Sequence, residues 1–167
     1  MQTLKRLLIV VTICLIGCSG SKEATTEKMA IGWVNRSVLD EPGHEAFKTT
    51  FDTVRVDEQF VEMISKIKGD VNVMVFFGSW CKDSKRELPH FLKVADKAGI
   101  SPEKIKLYGV DRTKKSADGL TEKYNIQLVP TIIFFKNGAE IGRITESPRT
   151  TIEGDMVTIL AGGAQGK

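Results

Sequence analysis

The residues best placed to do chemistry lie in one short stretch, Trp80-Cys81-Lys82-Asp83-Ser84, with Pro89 eight residues after the cysteine. A valine- and phenylalanine-rich run, Val71 to Phe77, precedes it, and a helical pattern follows from Asp83 to Ala98. Cys81 therefore stands where a helix begins. Unpaired backbone N–H groups and the positive end of the helix dipole meet at that point, and both favour thiolate over thiol. Lys82 adds to this effect and Asp83 opposes it. Ser84 is one helical turn further on, which brings its N–H and hydroxyl within reach of the sulfur. The chemistry predicted is nucleophilic attack by sulfur. A buried, inert cysteine at a helix end is the alternative that position alone leaves open.

Composition bounds what such a site belongs to. The chain has 167 residues, 41% hydrophobic and 27% charged, which suits one domain with a single core. Collagen-like, disordered and polytopic membrane classes are excluded. The cysteines are Cys14, Cys18 and Cys81, and the histidines are His44 and His90. A zinc site would need acidic ligands or a second chain, so no metal and no cofactor is expected. Removing Lys5 and Arg6 with the leader leaves 22 basic residues against 21 acidic, and this near-neutral balance makes no electrostatic case for nucleic acid.

The first 18 residues, MQTLKRLLIVVTICLIGC, have a short basic start and an apolar run from Leu7 to Ile16. As a helix, that run spans only about half of a ~30 Å bilayer core, so residues 1–17 read as a cleaved export signal. Leu15-Ile16-Gly17-Cys18 resembles a bacterial lipobox, which implies cleavage after Gly17 and lipidation of Cys18. Two or three acyl chains on one residue hold a membrane durably. Residues 18–30 are polar and small and read as a flexible tether. Cys14 would leave with the leader, so Cys81 would be the one free thiol of a chain held in an oxidising compartment. The expected location is the cell envelope, lipid-anchored on the extracytoplasmic side of a bacterial membrane.

Residues 31–54 carry turn signals without a clear period and read as an N-terminal extension. Beyond them, Asp57 caps a predicted helix over Glu58 to Ile67, with Phe60, Val61, Ile64 and Ile67 at helical spacing. The helix after Cys81 turns Leu88, Phe91, Leu92 and Ala95 inward. Further strands are expected at Ile105 to Val110, Thr131 to Phe135 and Ala139 to Ile144, the last two joined by an Asn137-Gly138 hairpin. A short helix near Leu120 to Tyr124 and a final one over Thr150 to Leu160 complete an α/β pattern.

Two motifs carry a resemblance. Trp80-Cys81, with Pro89 at the matching distance, resembles the active site of the thioredoxin superfamily, tryptophan-Cys-x-x-Cys on a helix. Lys123 to Thr131 followed by Phe134-Phe135-Lys136-Asn137-Gly138 is similar to the family's cis-proline segment, strand and hairpin. The resemblance covers residues 55–162 and implies a thioredoxin-like fold, a central mixed sheet with helices on both faces. It implies that Pro130 faces the active cysteine, that the Val129 backbone pairs with a bound chain, and that Trp80 is a contact beside the sulfur; Lys82 is a further candidate for binding the partner, by its charge. The chain is also similar to bacterial thioredoxin-like proteins with a Trp-Cys-x-Asp-Ser motif.

Three positions depart from the family pattern. Ser84 replaces the second cysteine, Val75 replaces a buried acid, and Leu107 replaces that acid's basic partner. Joint loss of acid and base leaves an apolar pair that packs without a stranded charge. A hydroxyl cannot resolve a mixed disulfide, so the predicted role is thiol–disulfide exchange by Cys81 alone, with Ser84 hydrogen-bonded to the thiolate. The implied partners are protein thiols or disulfides, or a low-molecular-weight thiol. A non-catalytic binding module for an envelope protein is the competing expectation. His90 falls about 13 Å along the helix from Cys81 and out of phase, which excludes a Cys-His pair. His44 is expected in a structural loop role and Trp33 packed on the domain; Lys82, Lys85 and Arg86 form a basic cluster near the site, with a solvated helix face as the default reading and attraction of an acidic thiol or partner as the alternative.

Overall fold

The computed structural model describes residues 29–162. The leader, Cys18 and the tether up to residue 28 lie outside the described residues. No helix among the described residues is long and apolar enough to cross a membrane.

Five strands form one mixed sheet in the order β1-β3-β2-β4-β5. They are β1 (Gly32–Val34), β2 (Asn72–Phe77), β3 (Ile105–Gly109), β4 (Thr131–Lys136) and β5 (Ala139–Thr145). β2 runs parallel to β3, and every other pairing is antiparallel. Side chains alternate across β2. Val73, Val75 and Phe77 enter the main core, while Phe76 enters a smaller one with Tyr108, Val110, Ile126, Val129 and Ile133. Near-continuous apolar sequence in β2 follows from this burial on both faces.

The helices are α1 (Glu45–Thr53), α2 (Glu58–Ile67), α3 (Lys82–Lys97), α4 (Leu120–Lys123) and α5 (Ile152–Leu160). The main core takes buried residues from α1, α2, α3 and α5, and the smaller core is covered by Leu120, Tyr124 and the segment after α4. The Asp57 carboxylate accepts from Gln59 N, as expected of an N-cap. All four residues of the expected inner stripe of α3 are buried. Asn137 and Gly138 both have positive φ, the geometry of a two-residue type I′ hairpin.

The stretch 31–54, without a period in the sequence, joins the same fold. β1 is the edge strand beside β3, and α1 packs on α3. Lys93 on α3 donates to Phe51 O and Val54 O, closing the C-terminal end of α1. Arg36 makes a bidentate pair with Asp96, both contacts at 2.7 Å. His44 is buried, its Nδ1 sits 2.7 Å from Val38 O, and its ring meets Phe47 edge-on, in keeping with a structural role. Trp33 meets Tyr108 edge-on at 5.1 Å yet stays 52% exposed, so it leans on the domain instead of packing within it.

Candidate active site

β2 ends at Phe77, and α3 begins at Lys82 after a four-residue loop. Cys81 is the N-cap of α3, in extended conformation (φ −86°, ψ 129°), with its carbonyl accepting from Lys85 N at 3.0 Å. The loop between is tied from several sides. Cys81 N donates to Gly78 O at 2.9 Å, and Gly78 N donates to the buried Ser84 hydroxyl oxygen at 3.1 Å. Gly78 also meets the Trp80 indole so closely that a Cβ there would lie 2.7 Å from the ring. Trp80 Nε1 donates to Val110 O at 2.9 Å, which pins the ring over the end of β3. Pro89 is buried within α3.

The sulfur is partly exposed and is the free thiol of the described residues. It donates to Val129 O at 3.3 Å. The Val129–Pro130 peptide is cis, Val129 and Pro130 are buried, and Leu128 just before them is 41% exposed. The next residues hold this segment in place: Thr131 Oγ1 donates to Leu128 O, and Glu146 N donates to Pro130 O. The backbone N–H of Val129 makes no hydrogen bond among the described residues. A chain end approaching the sulfur therefore meets one unpaired donor, and one acceptor that is released when the thiol proton leaves.

One expectation is corrected. Ser84 was placed against the sulfur, but its hydroxyl turns to Gly78 N–H instead. A buried backbone donor needs an acceptor, and the serine oxygen is the one the loop offers. Ser84 thus shapes the loop from beneath. The other departures from the resembled pattern meet in space: Val75 and Leu107 are partners in the β2–β3 register, 0% and 3% exposed. No carboxyl stands at that position to handle a proton.

Among the cations, Lys82 is exposed at the first position of α3. Arg86 is engaged elsewhere, with Asp83 at 2.8 Å, Glu87 at 2.5 Å and Ser147 at 3.0 Å. Its Glu87 hydrogen bond, against some burial, raises the guanidinium above its ordinary range. His90 Nε2 lies 2.9 Å from the buried Glu153 carboxylate on α5, so it serves helix packing. No cluster of His, Cys, Asp or Glu among the described residues suits a metal ion.

Four contributors were not singled out in the sequence. The Ser79 hydroxyl accepts from Ala30 N at 3.1 Å, fastening the start of the domain to the site loop. Gly109 lets that segment approach, since a Cβ there would lie 2.2 Å from Ala30 O. An isolated glycine in a strand was the available signal for that contact. Val110 O anchors Trp80, and Arg112 covers its ring at 5.0 Å. Neither has a signature in sequence.

Comparisons with known proteins agree with this geometry. The thioredoxin family profile matches residues 52–157. A thioredoxin from Echinococcus granulosus is 35% identical over 79 residues, covering 47% of this chain and 68% of its own. Protein disulfide-isomerase A5 of Mus musculus is 31% identical over 88 residues, 52% of this chain, and the match spans only 16% of that relative's length. A solved Pseudomonas aeruginosa protein of unknown function shares the fold at a TM-score of 0.55 and 16% identity, covering 72% of this chain and 84% of its own. With a five-stranded mixed sheet, a cysteine capping α3 and a cis-proline facing it, the chain belongs to the thioredoxin family, whose members are thiol–disulfide oxidoreductase-like proteins.

Proposed function

We propose that the protein is a membrane-tethered monothiol exchange protein acting outside the cytoplasm, with Cys81 as its nucleophile. The observation that carries this reading is the contact of Cys81 Sγ with Val129 O, 3.3 Å, beside the cis Pro130. Cys81 gives its proton to solvent and attacks a partner disulfide. One Sγ–S bond forms as the partner's S–S bond breaks, and the departing sulfur leaves as thiolate with the electron pair. Val129 O, freed from the thiol, and Val129 N–H then pair with the extended backbone of the partner. Ser84 cannot attack the new disulfide, and Val75 with Leu107 leaves no acid–base pair behind the loop. Release requires a second thiol, from the partner or from a small thiol. Such a site reshuffles or exchanges disulfides and does not carry out net reduction with a dithiol of its own.

The tether fits this use. With lipid on Cys18, residues 19–30 reach at most about 40 Å, and Ala30 is fastened to Ser79, two residues from the nucleophile. The site is thereby kept within one domain's width of the membrane. Labelling with a fatty acid, lost on Cys18→Ala, tests the anchor. The exchange reading is tested by refolding a substrate with scrambled disulfides in a trace of small thiol. The protein should accelerate recovery and Cys81→Ser should remove the gain. Equal partner binding by wild type and Cys81→Ser, with no acceleration by either, would instead assign a non-catalytic binding module.

A further inference from the structure

Around Cys81 the charges are unevenly partnered. Asp83 is paired with Arg86 at 2.8 Å, a guanidinium it shares with Glu87. Asp111 spends its Oδ1 on Thr113 N, Thr113 Oγ1 and Lys114 N, and Asp118 takes the Tyr108 hydroxyl and Leu120 N. Both carboxylates are held below their ordinary range, Asp111 first by the Thr113 hydroxyl, Asp118 by its donors against the opposing effect of burial. Arg112, by contrast, forms no salt bridge among the described residues. It is exposed, and its guanidinium lies over the Trp80 indole at 5.0 Å. Trp80 is itself fixed by Val110 O and packs with Cys81 on the same small core. The cation–π contact uses no N–H hydrogen bond, and the guanidinium makes none among the described residues, so its donors remain for a carboxylate. Lys82, at the first position of α3, adds a second cation without a salt-bridge partner on the other side of the sulfur in sequence.

We propose that Arg112 is a specificity-determining residue that receives a carboxylate carried by the thiol or disulfide partner of Cys81. The inference rests on the exchange reading above and names its substrate class, an acidic small thiol or an acidic peptide next to the reacting sulfur. A partner docked this way presents its sulfur to Cys81 while its carboxylate is met by Arg112, and the pairing of Asp83 with Arg86 weakens the repulsion from that side. The bonds exchanged are those already described, Sγ–S formed and partner S–S broken, with the electron pair leaving on the departing thiolate.

The test uses the purified full chain and two disulfide probes, one bearing carboxylates, 5,5′-dithiobis(2-nitrobenzoate), and one uncharged, 2,2′-dithiodipyridine, with Cys81→Ser as the blank. The ratio of second-order rate constants, carboxylate probe over neutral probe, should fall about three- to tenfold in Arg112→Gln. Arg112→Lys should recover part of it, and added salt should erode the wild-type ratio. An unchanged ratio in Arg112→Gln, or equal slowing with both probes, overturns the proposal and leaves the exchange reading standing. Failure of wild-type Cys81 to react with either probe overturns both.

Discussion

Ser84→Cys restores a second sulfur one turn from Cys81, at one structural cost and with one chemical gain. In the wild type, Gly78 N–H rests on Ser84 Oγ at 3.1 Å, with both groups buried. Sulfur is a weaker acceptor, so the variant should lose about 1–2 kcal/mol, a drop of about 0.5–1 M in the urea midpoint. The chemical gain is far larger. Well-oriented intramolecular attack reaches effective molarities of about 10⁵ M. A cysteine at position 84 would lack the acid–base pair that Val75 and Leu107 replace, so we allow a loss of about three orders of magnitude. The ~10² M that remains exceeds about 1 mM of external thiol by about five orders of magnitude, and release at least ~100-fold faster is a conservative expectation. The assay uses a chain lacking residues 1–18, in which Cys81 is the sole cysteine. Treated with 5,5′-dithiobis(2-nitrobenzoate), the wild type should release one equivalent of nitrothiobenzoate and keep the other on Cys81 until thiol is added. Ser84→Cys should release two equivalents unaided. A wild type that sheds the second equivalent by itself, or a variant that retains it, refutes the reasoning that Ser84 marks a lost resolving step.

Two further outcomes test how the site is held. Gly109→Ala places a methyl 2.2 Å from Ala30 O, a backbone atom, so β1 must withdraw from β3 and the Ala30–Ser79 hydrogen bond must open. We expect a loss of about 2–4 kcal/mol in urea unfolding together with faster amide exchange at Ala30, and a wild-type midpoint would show the contact to be slack. Glu153 is pushed upward by burial, yet hydrogen bonds from its own N–H, His90 and Asp57 N–H outweigh this and hold it below the ordinary carboxylate range. A lowered folded value means stability that is present above about pH 4.3 and lost as pH falls through the folded value. The urea midpoint should therefore decline below about pH 4.3, and less steeply in Glu153→Gln. Parallel pH profiles would remove Glu153 from the explanation.

What could be read from the sequence divides along physical lines. α2, α3, β2 and the hairpin were legible because local signals agree with their tertiary setting: the Asp57 cap, the Leu88–Phe91–Leu92–Ala95 stripe, the run from Val71 to Phe77, and Asn137-Gly138. The Val75–Leu107 pair was legible from the resemblance and proved to be a register pair. β1 and α1 were not. Three residues of strand have no visible period, and α1 buries only Phe47 among its nine residues. Its position is set by partners far along the chain, Lys93 at its end and Arg36–Asp96 beside it. The Ser84 hydroxyl was assigned to the nearest sulfur, whereas the unpaid donor was a backbone N–H in the turn. Arg112 gave no signal because its role depends on where a loop folds back over an aromatic ring.

What Cys81 carries in the cell tests monothiol exchange most directly. The protein should be isolated after acid quenching and blocking of free thiols, and the peptide containing Cys81 weighed before and after reduction. Monothiol exchange predicts a fraction of that peptide joined by a disulfide to a small thiol or to a partner cysteine, released by reductant and rising when Cys81 is challenged with oxidised substrate. A Cys81 recovered wholly as free thiol under those conditions would contradict it.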